Sequence, residues 1–310
     1  MRIAIFGATS EIAKDLILSF AKNNTHSLAL FARRPDAIEQ WLTSAQITNQ
    51  YAAHSFEQFQ IADPYDAIIN FVGVGNPAKT TALGTKIFDI TWKYDDLALQ
   101  YIEAHPTCKY IFLSSGAAYC STFEEPANVN TKTDLNINHL RTQDWYGVAK
   151  LHAECRHRAL PDLPIVDIRV FNYFSHTQDM TARFLITDII RAIQNKTTLE
   201  TSPHFMMRDY LHPADFHQLI QRILDAKPCN TTVDCYSQKP IDKLHLLQTM
   251  HEEFGLIYEI ANTDQDVQST GNKPYYFSQN KKAGEDFNYS PIYSSESALI
   301  EQTRFCLGTQ

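Results

Sequence analysis

Arg2-Ile3-Ala4-Ile5-Phe6-Gly7-Ala8-Thr9-Ser10-Glu11-Ile12-Ala13 opens the chain almost at once. Four consecutive apolar side chains, Ile3 to Phe6, leave no face for water, which marks a strand buried on both sides. Small residues then make a turn at Gly7, Ala8, Thr9 and Ser10. From Glu11 the apolar positions recur at helical spacing, with Ile12, Ala13, Leu16, Ile17 and Phe20 on one side. A strand, a tight turn of small residues and a helix bring free N–H groups and a positive dipole end over the strand's carboxyl end, a place suited to a pyrophosphate. Gly7, Thr9, Ser10, Glu11 and Ile12 are the candidate phosphate-facing residues. An ordinary strand-to-helix turn would use the same residues, so the rest of the chain has to decide between the two.

Outward from that stretch, short apolar runs alternate with longer amphipathic ones. Strands are expected at 27–31, 67–72, 109–114 and 165–170, and helices at 11–23, 36–44, 83–104 and 142–160. Such alternation, with strands almost wholly apolar, predicts an α/β fold: a doubly wound, parallel, Rossmann-like sheet covered by helices on both faces. Residues 1–170 form the expected dinucleotide-binding domain. Past residue 171 the pattern loosens, with helices expected at 182–195, 213–225 and 241–254. Residues 263–282, rich in Gln, Asn, Ser and Lys, are expected to be an exposed loop. Residues 171–310 read as mainly a smaller substrate-binding lobe, with some segments returning to the first domain.

The net charge of −8 argues against nucleic acid or an anionic membrane as the main partner. No apolar run approaches the length of a membrane span, and no export signal precedes the first strand. The six cysteines form no C-x-x-C pair and no zinc spacing, so no metal is expected, and they read as reduced thiols of a cytoplasmic protein.

Just beyond the second strand, where an acidic residue would hold the ribose 2′-hydroxyl of NAD, stand Arg33 and Arg34. Two guanidinium groups suit a 2′-phosphate, which favours NADP(H) and leaves NAD(H) as the alternative; a solvated basic loop is the plainer reading. Asp63 is the candidate acceptor for the adenine amino group. Tyr146 and Lys150 are four apart on an expected helix and so share a face. A nearby ammonium, with a positive nicotinamide, favours phenolate and lets the phenol give or take a proton near neutral pH. Ser115 closes the strand at 109–114, at the edge where parallel sheets bind ligands. Ser115, Tyr146 and Lys150 are the candidate catalytic residues.

With these stretches in hand the chain resembles the NAD-dependent epimerase/dehydratase family, the nucleotide-sugar branch of the extended short-chain dehydrogenases. The stretches that carry the resemblance are 7–13, 112–119, 146–154, Arg169-Val170-Phe171-Asn172 and Arg208-Asp209-Tyr210-Leu211-His212. The resemblance implies that Asn172 and Arg208 hold the phosphates of a nucleotide-diphosphate sugar, and that the protein is a homodimer paired through the helices at 83–104 and 142–160. Two departures stand out. The family's dehydratases carry Asp-Glu after the catalytic hydroxyl, where this chain has Gly116-Ala117, so elimination of water is not expected. The family's helix Asn falls at Thr91. The expected function is an NADP(H)-dependent reductase of a nucleotide-linked keto sugar, of the 4-keto-6-deoxy kind, with Tyr146 as proton donor. An NAD-dependent nucleotide-sugar epimerase is the alternative, and a non-catalytic cofactor-binding regulator is the alternative of another class.

Overall fold

The computed structural model describes residues 1–23, 26–48, 50–73, 80, 82–261 and 273–308. Seven parallel strands form the central sheet: β1 (Arg2–Phe6), β2 (Ser27–Phe31), β3 (Ala52–His54), β4 (Ala67–Asn70), β5 (Lys109–Ser115), β6 (Ile165–Val170) and β11 (Thr231–Asp234). Their spatial order is β11-β6-β5-β4-β1-β2-β3. The chain winds one way from β1 to β3 and the other way from β4 onward, so a crevice opens between the carboxyl ends of β1 and β4.

The apolar run of β1 explains the layering. Ile3 and Ile5 face one core, and Ala4 and Phe6 face the other; all four are fully buried. Each such Ile or Phe contributes roughly 1.5–3 kcal/mol by leaving water. The first core is covered by α1 (Glu11–Asn23), α2 (Pro35–Ser44), α6 (Pro213–Asp225) and α8 (Lys282–Phe287). The second is covered by α3 (Lys86–Ala104) and α4 (Trp145–Arg158). Helix α3 starts three residues later than its apolar spacing predicts, because Gly84 takes a left-handed φ of 56° and breaks the run.

The remaining elements build the lobe: β7 (Asn172–Tyr173), α5 (Leu185–Asn195), β8 (Leu199–Thr201), β9 (Met207–Arg208), β10 (Tyr210–Leu211), β12 (Ile241–Asp242), α7 (Lys243–Phe254), β13 (Tyr258–Ile260), β14 (Tyr275–Tyr276) and α9 (Ser295–Leu307). Helices α5, α7 and α9 close over a core of Ile186, Ile189, Ile190, Leu246, Leu247, Met250 and Leu299. Within residues 171–310, β11, α6 and α8 belong to the central sheet and its covering, so the chain passes from sheet to lobe more than once. Two carboxylates on α1 fasten the lobe to the sheet: Asp15 accepts from Tyr173 (2.8 Å) and Thr177 (2.7 Å), and Glu11 accepts from the Asp179 amide (3.0 Å).

The segment expected to be an exposed loop is not one where it is described. Residues 262–272 lie outside the described residues. After them, β14 pairs in parallel with β9, and Tyr276, Phe277, Ser278 and Asn280 are buried. The aromatic run Tyr275-Tyr276-Phe277 supplies the apolar surface that the polar composition of the wider segment masks.

Candidate functional site

The turn after β1 is shaped for a ligand's backbone-close approach. Gly7 has φ +75°, and a Cβ there would stand 3.0 Å from Phe71 C and Val72 N, both backbone atoms next to the end of β4. Only glycine fits such a position without strain. The amides of Gly7 and Ala8 donate to the Phe31 carbonyl at the end of β2 (2.9 and 3.1 Å), and the Ser10 amide donates back to Gly7 O (2.9 Å). Thr9 is exposed, Ser10 half-buried, and Ile12 packs on the core below. The amides of the first turn of α1 have no partner within the helix, as in any helix start. The Glu11 carboxylate is engaged by the lobe through Asp179. Just past Phe31, Arg33 and Arg34 are exposed, and neither guanidinium has an ion pair or hydrogen bond among the described residues. A dinucleotide phosphate fits this cradle: an open turn, a helix start of thirteen residues and free guanidinium groups stand at one sheet edge.

Asp63 does not join it. It lies shortly before β4 and therefore at the amino edge of the sheet, opposite the crevice. There its carboxylate accepts from Tyr65 (3.4 Å) and its carbonyl from Tyr101 (2.5 Å), near the Arg2 end of β1. The carboxyl end of β3 instead presents His54 and Ser55.

Ser115, Tyr146 and Lys150 do come together. Ser115 ends β5 and caps the short turn Gly116–Tyr119, its Oγ accepting from the Ala117 amide (3.2 Å). Tyr146 and Lys150 lie one turn apart on α4. A hydrogen bond with Ser115 pulls the Tyr146 phenol down, but burial outweighs it and the phenol is pushed up. The expected lowering also counts on a positive nicotinamide; the chain's own residues therefore do not lower the phenol. The reason is where Lys150 points. Its Nζ donates to the Leu113 carbonyl (2.7 Å), lies 4.3 Å from the Phe112 ring centroid, and would be 3.3 Å from a Cβ on Gly73. Burial lowers its ammonium to about 8, against the upward pull of Asp95, Glu154 and Asp167. Gly73 follows β4, so Lys150 stands at the crevice beside the Gly7 turn.

Asn172, Arg208 and Tyr276 line the lobe side. Register pairs Tyr276 with Arg208, and Asn172 Nδ2 donates to Asp209 O and Tyr276 O (both 3.4 Å). The Tyr276 hydroxyl stands 3.4 Å from Ser115 Oγ, and the Arg208 guanidinium lies 5.8 Å from its ring centroid. Tyr276 is a site residue that the sequence reading missed; the aromatic run around it was the available signal. Cys120, with φ +48°, packs toward Gly147, and burial pushes its thiol up to about 11, so it is a packing residue in this state. The Thr91 hydroxyl is buried with no partner among the described residues. A cavity of about 390 Å³ lies among Asp134, Leu135, Asn136, His139, Arg141 and Asp144 and touches the catalytic helix only through Asp144.

Two buried charge networks support the trio. Glu154, one turn past Lys150, accepts from Ser114 (2.5 Å) and, bidentately, from Arg169. Arg169 also faces Asp234 (3.6 Å), which accepts from Tyr119 (2.7 Å) and Ser278 (2.5 Å). Beneath them His157 bridges Asp167 (2.6 Å) and Asp95 (2.7 Å). Burial opposes its charge, but the two carboxylates prevail and push it up to about 9. Neither network was read from the sequence, because partners such as Glu154 and Arg169 lie on different elements.

The sheet order, the glycine turn and the Ser-Tyr-Lys trio define a dehydrogenase-type enzyme of the extended short-chain class. The chain belongs to the NAD dependent epimerase/dehydratase family, whose sequence profile matches residues 3–234. Among solved structures it is similar over its whole length to UDP-glucuronic acid 4-epimerase of Bacillus cereus, solved with UDP-glucuronic acid and NAD (14% identity, TM-score 0.77, all of both chains covered). It is likewise similar to UDP-glucose 4-epimerase of Thermotoga maritima (15%, 0.77, 100% and 99% covered) and to UDP-N-acetylglucosamine 4-epimerase of Methanobrevibacter ruminantium (12%, 0.80, 100% and 99% covered). A search of curated proteins found no match.

Proposed function

We propose that the chain interconverts a secondary alcohol and a ketone on a nucleoside-diphosphate sugar, and that it does so as an epimerase. The observation that carries the reading is the convergence of Ser115, Tyr146 and Lys150 on the crevice beside the Gly7 turn, with Arg208 and Asn172 on the facing wall. When bound, a nicotinamide dinucleotide supplies a hydride acceptor and donor. The Gly7 turn and the start of α1 would hold its phosphates. The chain's own residues handle the proton and the sugar. Tyr146, after giving up its own phenol proton, would take the proton of the reacting hydroxyl and return it to the keto oxygen; Ser115 donates to that oxygen. Lys150 keeps positive charge near both. Elimination of water has no acid–base pair here, and one could not simply be added: a Cβ on Gly116 would stand 2.4 Å from Phe171 ring atoms.

Epimerisation is placed ahead of net reduction, reversing the order expected from the sequence, because the similar structures include 4-epimerases solved with NAD or UDP-sugars. The reductase reading keeps two specific supports: the unpaired Arg33 and Arg34, which suit NADP(H), and a phenol that is protonated at neutral pH and so ready to donate. We also keep the homodimer, for which Trp92, 51% exposed on α3, offers an apolar contact.

The deciding experiment uses purified protein. Its absorbance and a released-nucleotide assay show whether NAD is retained. UDP-, dTDP-, GDP- and CDP-sugars are then incubated with it and separated by chromatography. An epimeric product with no net change at 340 nm supports the epimerase; stoichiometric loss of NADPH supports the reductase. Neither outcome with any sugar, in protein that binds the cofactor, would sink the proposal.

A further inference from the structure

The cleft wall carries a cation that the trio does not use. Lys273, at the start of the segment leading into β14, is half-buried. Its ammonium lies 5.1 Å from the Phe123 ring centroid and 5.0 Å from that of Tyr276. Arg208 addresses the same Tyr276 ring, and its Nη1 donates to the Lys273 carbonyl (2.8 Å), so the backbone holds the two cationic residues side by side. No ion pair or hydrogen bond engages the Lys273 ammonium among the described residues.

Among the chain's own contacts that arrangement is uphill. Ring faces replace only part of an ammonium's lost hydration. Burial lowers its proton affinity, and the neighbouring Arg208 lowers it further. Oxyanion binding would relieve both effects. The position narrows the source. Tyr276 spans the gap, its ring toward the two cations and its hydroxyl 3.4 Å from Ser115 Oγ. The same tyrosine thus touches both the two cations, through its ring, and the reacting end, through its hydroxyl. The groups that raise its proton affinity are Cys120, packed toward Gly147, and Asp144, at the N-cap of α4.

We propose that Lys273 is a substrate-recognition residue that binds an oxyanion carried by the nucleotide sugar close to its reacting carbon, a ring carboxylate being the source argued here. The inference rests on the nucleotide-sugar reading above. A phosphate oxygen offers the same chemistry, so the test separates the two.

Wild type, Lys273→Met and Lys273→Arg, each loaded with cofactor, are titrated calorimetrically with UDP-glucuronate, UDP-glucose, UDP and inorganic pyrophosphate. Lys273→Met is expected to bind UDP-glucuronate roughly 10- to 100-fold more weakly, the loss of one charged hydrogen bond, with Lys273→Arg restoring most of it. The ligand-free Lys273→Met protein should melt no lower than wild type, since a desolvated, repelled charge has been removed; a merely structural lysine would lower it. A loss confined to UDP-glucuronate places the oxyanion on the sugar. Equal losses for UDP and pyrophosphate keep Lys273 as the anion ligand and move the oxyanion to the phosphate. Affinities within two-fold of wild type for all four ligands overturn the role. Lys273-dependent binding of pyrophosphate alone, with UDP, dTDP, GDP and CDP all unbound by wild type, would overturn the nucleotide-sugar reading and leave Lys273 standing. No binding of any of the four, nor of dTDP, GDP or CDP, overturns both.

Discussion

Lys150→Met should make the ligand-free protein more stable near neutral pH relative to wild type, and the advantage should shrink as the pH rises. Lys150 is 3% exposed, and its ammonium titrates at about 8 instead of the ordinary 10.5. Between those values the unfolded chain binds more protons than the folded one, so this residue makes stability rise with pH. The penalty for folding it charged is about 3 kcal/mol near pH 7 and about 1 kcal/mol near pH 10, a change of roughly 2–3 kcal/mol. Methionine removes that term. It also leaves the Leu113 carbonyl without its donor, which costs about 1–3 kcal/mol but does not vary with pH. Urea unfolding of both proteins at the two pH values isolates the effect, because pH-independent losses cancel in the double difference. A double difference under about 0.5 kcal/mol, or of opposite sign, would mean that Lys150 is solvated and does not lie against Phe112 and Gly73.

Tyr146→Phe should lower turnover by roughly 100-fold or more while nucleotide affinity, read by calorimetry, stays unchanged, because the phenol acts only on the proton. Gly7→Ala should lose roughly 1–3 kcal/mol of stability through its left-handed φ and the Phe71 and Val72 backbone beside it, and should weaken dinucleotide binding in the same protein. Arg33→Ala and Arg34→Ala should leave the melting temperature within about a degree, both side chains being exposed, yet weaken NADP binding about ten-fold with NAD unaffected if they face a 2′-phosphate. Equal affinities for both cofactors in wild type would remove that role from the pair.

Much of the sheet was legible because parallel strands buried on both faces must be apolar at every position, as Ile3 to Phe6 are. Helix faces were legible for a similar reason, and the four-residue spacing of Tyr146 and Lys150 put both on one of them. Asp63 was misplaced because the connection from β3 to β4 crosses the whole sheet, and sequence position alone does not say where along it a residue turns the corner. Four residues before β4, it belongs to the amino edge. Tyr276 was hidden by averaging: a segment polar overall can still carry three aromatic residues that a cleft needs. Glu154 could have been found, since it continues the 146, 150 spacing by one more turn.

That third position explains how a desolvated lysine is tolerated at the crevice. Tyr146, Lys150 and Glu154 rise along one face of α4, and each meets a different demand. Glu154 spends its charge on Arg169 and Ser114, and Asp95 and Asp167 spend theirs on His157, Arg156 and Arg158. None of these carboxylates pairs with Lys150, so they raise its proton affinity only from a distance and leave the ammonium held by one carbonyl and one ring. A direct carboxylate partner would have offset the ammonium's desolvation, at the cost of burying a second charge. It would also have neutralised the positive charge that Tyr146 needs when a proton must leave the phenol. The side chain that weakens the fold near neutral pH is therefore the one whose charge remains available to the site, which is why stability and turnover should move in opposite directions in Lys150→Met.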